Sequence, residues 1–300
     1  MIYYLVARRH APTMHDFLSG WGKPLAGRIR VLLYDDLFSG ANVRLPAATY
    51  IFTSLGTDMG GRNPPSPLRK LCGDLHRNLV QVCGPGRVLN DPLNFLSRYE
   101  LLRALQERGI NRFAAYPAGG AETPARYPVF LRREFGTLWQ APALLNSRDE
   151  YDAAVRGAGA TDGLMAIEYR DTADASGIYR KYGCFIVGDR LVPRHLFFSR
   201  GWWVKHDELH EPAMVEEEIA YLASADPREG LLREVACVAN LSYGRIDYTV
   251  QDGRPQIWEI NITPAIVPDP ATDIPARRPV HEHFVAHFAR ALDTIDPPAG

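Results

Sequence analysis

The chain opens on an unbroken apolar run, "MIYYLVA", and two more follow, "IRVLLYDD" and "ATYIFTS". Short apolar runs of this kind read as strands buried on both faces, as in a parallel sheet. "RNPPSPLRK" interrupts them with prolines, and "LRKLCGDLHRNLVQV" then shows helical periodicity. Residues 1–90 are therefore expected to form a small α/β subdomain of strands, loops and one helix around a mostly parallel sheet, closed by "CGPGRVLNDP". Beyond it, Asp91 is the expected N-cap and Pro92 the first residue of a helix carrying Phe95, Leu96, Tyr99, Leu102 and Leu105, with Gly109 as its stop.

Further along, "FAAYPAGGAETPARYP" reads as a loop, "VFLRREF" as a strand, "SRDEYDAAVRGAG" as a capped helix and "GLMAIEYRD" as a strand. "YRKYGCFIVGDRLVPRHLFFS" reads as a hairpin turning at Gly188-Asp189. "MVEEEIAYLAS" and "PREGLLREVACVANLS" are helical, the second with Leu231, Leu232, Val235 and Val238 on one face. After a linker dense in proline and aspartate, "PVHEHFVAHFARALDTI" buries Val280, Phe284, Phe288 and Leu292, which assigns His281, His283 and His287 to its wet side.

One hairpin departs from this apolar logic. In "GRIDYTVQDGRPQIWEINITP", residues 244–264, the side chains of Asp247, Glu259 and Asn261 interrupt two apolar strands. A three-residue loop at 252–254 pairs Asp247 with Glu259 and Arg245 with Asn261. Ile246, Tyr248, Val250, Trp258 and Ile260 then share the other face, whereas a two-residue loop would pair Asp247 with Trp258 and mix the faces. Two carboxylates so close need a positive partner. Arg245 satisfies that need, and so does Mg²⁺, a hard cation that takes one or two protein carboxylates and completes its shell with water and phosphate.

Composition narrows the classes. With 34 basic and 35 acidic residues the formal net charge is -1, so no global field draws nucleic acid or an anionic membrane. Three hundred residues suit two or three closely packed subdomains. Cys72, Cys83, Cys184 and Cys237 form no C-x-x-C pair, as expected of reduced thiols in a cytoplasmic protein. The first apolar run precedes its charges and is too short for a secretory signal. No stretch reaches the ~18 consecutive apolar residues of a membrane span.

Several motifs invite chemistry and fall short of it. "HDELH" has Asp207 where a zinc-protease motif needs Glu, and "VCGPGRV" lacks the Lys-Ser/Thr of a phosphate loop. Trp202, Trp203 and Lys205 in "SRGWWVKH" serve either a ligand pocket or a contact between subdomains. Thr53, Ser54 and Asp58 follow the third strand, at the edge where parallel sheets bind ligands.

Taken together, "RIDYTV…WEINITP" resembles the closing signature of the ATP-grasp ligases, a strand Asp followed by Glu-x-Asn-x-x-Pro. Glutathione synthetases and D-alanine–D-alanine ligases belong to that superfamily. The likeness runs in order through about residues 90–268, by way of "RYELLRALQERGINRF", "YPVFLRRE", "LMAIEYRD" and "YRKYGCFIVGDRLV". It implies an α/β fold with an N-terminal α/β subdomain (1–90), a central lid (91–180) and a C-terminal subdomain with a mixed or antiparallel sheet (181–300). By position, it implies Mg²⁺ on Asp247, Glu259 and Asn261, and ATP phosphates on Arg98 and Arg132. Adenine would lie at Glu168 and the backbone around Tyr169, and Arg180 or Lys181 would face the γ-phosphate. Arg245 would act in catalysis.

The implied activity is ligation of a small-molecule or peptide carboxylate to an amine through an acyl-phosphate, with neither nucleic acid nor membrane as partner and self-association left open. The alternative is a degenerate nucleotide-binding regulator. Four departures stand out. Arg98 and Arg132 replace lysines, and the glycine-rich flap shrinks to "EFGTLW". The hairpin's usual basic residue falls on Gly183, and "ITPAI" lacks a glycine.

Overall fold

The computed structural model describes residues 1–297, apart from 40–44, 55–64, 137–139, 207, 224–227 and 268–273. Three sheets follow one another along the chain. The first is wholly parallel, in the order β2 (Ile29–Leu33), β1 (Ile2–Val6), β3 (Thr49–Phe52), β4 (Val88–Leu89). Every residue of β1 is buried. Ile2, Tyr4 and Val6 enter one core while Tyr3 and Leu5 enter another, which explains the unbroken apolar run. Helix α1 (Ala11–Ser19) and the single turn α2 (Tyr34–Leu37) lie where the hydropathy pattern indicates only loops and strand. α3 (Pro67–Cys83) is capped by Ser66 and matches expectation.

The next helix corrects the expected start. Asp91 makes a turn, accepting from Leu93 N at 2.8 Å and Asn94 Nδ2 at 2.7 Å, so Phe95 and Leu96 precede the helix. α4 (Arg98–Glu107) begins after Ser97, whose capping box with Glu100 satisfies two backbone donors at once. The second sheet is antiparallel, with β7 (Leu164–Glu168) between β5 (Ala115–Pro117) and β6 (Val129–Arg133), and α5 (Arg148–Gly157) lies between β6 and β7 in sequence. β5 occupies the stretch that its glycines and prolines mark as loop.

The third sheet carries the site. It runs β11 (Arg254–Asn261), β10 (Tyr243–Gln251), β8 (Tyr179–Val187), β9 (Arg190–Ser199), all antiparallel. One face, with Ile246, Tyr248, Ile257 and Ile186, packs on α4, on α7 (Glu229–Ala239) and on the parallel sheet. On the other face α8 (Arg278–Ile295), beside α6 (Pro212–Ala223), covers one half; Phe284 and Phe288 meet Phe185 at 5.3 and 5.4 Å. The remaining half of that face is the floor of a cleft.

Asn90, at φ 64°, clamps the first and third sheets together: its Nδ2 donates to Phe52 O and Tyr243 O, and its Oδ1 accepts from Ser242 N and Tyr243 N. Asn111 does the same between the loop after α4 and both main-chain groups of Ile257. His281 is fully buried against Trp21, not on the wet side of α8, and its desolvated ring is held far below the usual imidazole pKa. Asp58, Asp207, the end of "EFGTLW" and most of the proline-aspartate linker lie outside the described residues.

Candidate functional site

The register of the oxygen-bearing hairpin is as expected at its open end, where Asp247 pairs with Glu259 and Arg245 with Asn261. Its turn is not. Gln251 pairs with Arg254, leaving a two-residue Asp252-Gly253 turn with both residues at positive φ. A bulge opposite Asp247/Tyr248 absorbs Trp258 as an extra residue and restores the register. Trp258 consequently leaves the Ile246–Tyr248 face and stacks on Phe113, with ring centroids 4.9 Å apart.

A second bulge lies beside the first. In the β8–β9 pair Gly183 faces His195 but Cys184 faces Pro193, so Arg194 is the extra residue. Between the two bulges runs one row across four strands: Glu259, Asp247, Gly183 and His195.

The cleft above this row has two ends. One is an aromatic slot lined by Phe113, Phe130, Tyr169, Trp202, Trp203 and Trp258 among others. Phe130 lies 5.1 Å from Trp202 and 5.7 Å from Trp203, and Trp202 meets Tyr169 edge-on at 5.3 Å. Planar apolar walls of this kind suit a flat heteroaromatic ring. Trp202 and Trp203 thus line a pocket as well as joining β6 to the chain beyond β9.

The other end is charged, with a cavity of about 480 Å³. Arg98 Nη2 donates to Glu259 Oε2 at 2.7 Å and Arg132 Nη2 reaches the same oxygen at 3.5 Å. Arg245 grips both oxygens of Asp247, at 2.6 and 3.0 Å. Asn261 Nδ2 donates to Asp247 at 3.1 Å and to Glu259 at 3.4 Å. Burial alone would raise the Glu259 carboxyl, but Arg98, Arg132, Lys205 and Lys181 outweigh it and hold it well below the usual carboxylate range. The cations are strained in return. Burial, with Arg98 alongside, brings the Arg132 guanidinium down to about 10, and burial brings the Lys205 ammonium down to about 8. Lys181 is also lowered, by burial first, with Asp247 opposing the shift.

The nitrogens Arg98 Nε and Arg132 Nε are buried without a hydrogen-bond partner. Two orphaned guanidinium donors beside a surplus of cations are what a polyphosphate would satisfy.

No family model and no curated protein matches the sequence. Solved structures do match. D-alanine–D-alanine ligase from Bacillus anthracis complexed with ATP superposes with a TM-score of 0.53 at 11% identity, covering 98% of both chains. D-cycloserine synthetase gives 0.53 at 13%, covering 97% of this chain and all of that one (100%). A macrocyclase from Microcystis aeruginosa bound with its precursor peptide gives 0.51 at 11%, with 97% and 100% coverage. The chain has the ATP-grasp fold.

Within the ATP-grasp fold the residues picked out by resemblance separate into three groups. Arg98, Arg132, Lys181, Arg245, Asp247, Glu259 and Asn261 all line the charged cleft. Arg180 lines the aromatic slot, yet its guanidinium is held by Glu217 at 2.8 Å and by Asp174. Glu168 lies elsewhere. Strand alternation turns it away from the slot that Ile167 and Tyr169 line, and its carboxylate accepts from Ala114 N at 3.1 Å and Tyr116 Oη at 3.2 Å beside a separate shallow pocket. Glu168 therefore does not line the slot, whereas Tyr169 does.

Thr53 is buried in a bond to Leu5 O, and Ser54 N donates to Thr263 Oγ1 at 2.8 Å, tying β3 to the segment after Asn261. The sequence reading missed Trp258, Arg194, His195 and Arg277 at the cleft. The first three owe their places to bulges, which leave no mark in the hydropathy pattern.

Among the described residues no group of three His, Cys, Asp or Glu side chains is placed to hold a metal, and no helix is long and apolar enough to cross a membrane.

Proposed function

We propose that the chain is an ATP-dependent ligase that activates a carboxylate as an acyl-phosphate and passes the acyl group to an amine. The observation that carries this reading is the pair of orphaned, buried donors on Arg98 and Arg132, set between an aromatic slot and a two-carboxylate cluster on an ATP-grasp fold. In this reading the slot takes the adenine and Arg98, Arg132 and Lys205 take the phosphates, with subdomains at 1–90, 91–180 and 181–300.

The donor set is also tested against Mg²⁺. Asp247, Glu259 and Asn261 converge within hydrogen-bond reach of one another and offer hard oxygens, in the small number that Mg²⁺ asks of a protein. Both carboxylates are paired to arginines. The set therefore fits a magnesium ion arriving with phosphate, whose negative charge competes for those arginines, better than a bare ion. Bound there, Mg²⁺ would supply charge neutralisation at the phosphoryl group. Arg245, with Asp247 orienting it, would hold the reacting carboxyl, and the basic residues would stabilise charge as phosphoryl transfer proceeds.

The test is ATP, Mg²⁺ and a panel of carboxylic acids with hydroxylamine as nucleophile. Hydroxamate with stoichiometric ADP supports ligation; ADP-free incubation with every acid opposes it. The second reading, a nucleotide-binding regulator, draws on one observation, the guanidiniums of Arg98 and Arg132 lying on Glu259. It predicts tight nucleotide binding with no ADP released.

A further inference from the structure

The far end of the row contains chemistry that a nucleotide would not use. Gly183 has no side chain, and His195 across the sheet fills the space above it. A Cβ on residue 183 would lie 2.4 Å from Cε1 and 2.5 Å from Nε2 of the imidazole. Phe197 stacks flat beneath the ring, 3.9 Å away and 5° from parallel. His195 is 1% exposed and its Nε2 is fully buried with no hydrogen-bond partner, although the residue lines the cleft.

Four cations surround it: Arg245, Arg194, Lys181 and Arg277. Against them stand two carboxylates, Asp247 paired with Arg245 and the buried Glu218 paired with Arg277 at 2.6 Å. The Lys181 ammonium makes no hydrogen bond or ion pair among the described residues and lies over the Phe197 ring at 5.4 Å. Burial, reinforced by these cations, keeps the imidazole neutral, so one ring nitrogen is available as a donor. Ala265, Val267 and Ile274 give the same end an apolar wall.

Resting on the ligase reading, we propose that this end of the cleft binds a second anionic group on the acyl substrate, so that the acid activated is a dicarboxylate. One carboxyl lies at Arg245 for activation, the other is held by His195, Lys181 and Arg194, and the methylenes between them run along the apolar wall. Asp247 and His195 are two strand spacings apart, about 10 Å, and the ring folds back over Gly183, which suits a diacid of about four to six carbons.

Calorimetric titration of the Mg²⁺ complex with a non-hydrolysable ATP analogue tests this directly. Succinate, glutarate and adipate are compared with butyrate, pentanoate and hexanoate. At least one diacid should bind about tenfold more tightly than the monoacid of equal length, the gain of one charge-assisted hydrogen-bonded contact. His195→Ala and Gly183→Ala should each remove most of that preference and leave analogue affinity within about twofold. Diacids that bind no better than their monoacids, or a preference that survives both substitutions, overturn the proposal. Failure of the analogue to bind counts against the ligase reading instead, and the acid series without nucleotide then still decides the anion site.

Discussion

The aromatic slot and the charged cleft share Arg132, Lys181, Lys205, Asp247 and Glu259, yet they are built by opposite means. The slot is assembled by rings from separate segments that touch one another, with a hydrogen bond between the Tyr169 and Tyr179 hydroxyls at 3.1 Å, so its shape is held mainly by packing. The cleft is a half-sheet that α8 leaves uncovered, where each carboxylate is matched by a guanidinium and some donors are left over. Packing tolerates the loss of one ring at a modest cost, whereas a buried charge network changes character when one member goes. The difference separates recognition from chemistry: the slot should govern affinity for the base, and the cleft should govern metal-dependent turnover and stability.

Substitutions can break that separation. Glu259→Gln removes a charge that draws on both arginines and on the proposed metal, and should lower turnover by about 10²–10³ in a hydroxamate assay, with far-ultraviolet circular dichroism unchanged. Equal turnover would put the carboxylates outside the reaction. Glu218→Gln strips Arg277 of its buried partner behind the cleft and should lower stability by about 3–5 kcal/mol in urea unfolding. A change below ~1 kcal/mol, the range of exposed pairs, would show that water reaches the pair.

Trp258→Ala at the slot should weaken nucleotide binding by about tenfold, as the loss of one base-stacking surface does, while the rate at saturation stays near that of the parent. A larger fall in that rate than in affinity would erase the contrast.

The smallest effect is in pH. Burial lowers Lys205 to about 8, so it is charged below that pH and neutral above it in the free protein. Phosphate prefers the charged form, so nucleotide affinity should fall by a few-fold as pH rises through about 8, and Lys205→Met should flatten the slope.

The two regions were also unequally legible in the sequence. The charged set was readable because three oxygen-bearing residues break an apolar alternation, and the register expected from a three-residue loop holds at the open end because the bulge at Trp258 makes up for the shorter turn. The slot was not. Trp258 was assigned to the buried face because a bulge, which costs one unpaired residue and no change of composition, shifts the alternation past it. Arg194 was hidden in the same way in the neighbouring hairpin.

The parallel sheet was legible because its strands β1 and β3 are buried on both faces. α1 was not, since its start at Ala11-Pro12 carries no side-chain cap. Asp91 shows the limit of local signals: Asp-Pro suits a cap and a turn alike, and Ser97 with Glu100 offered the stronger box six residues later.

The most direct test of the central claim, that the uncovered half-sheet takes nucleotide phosphates together with a divalent cation, is an affinity ladder. Adenosine, ADP and ATP are titrated with and without Mg²⁺ into the parent chain and into Glu259→Gln. Affinity should climb with each phosphate, Mg²⁺ should strengthen ATP binding to the parent and lose that effect in Glu259→Gln, and adenosine should bind both alike. An ATP affinity indifferent to Mg²⁺, or a Glu259→Gln variant that loses adenosine as much as ATP, would contradict it.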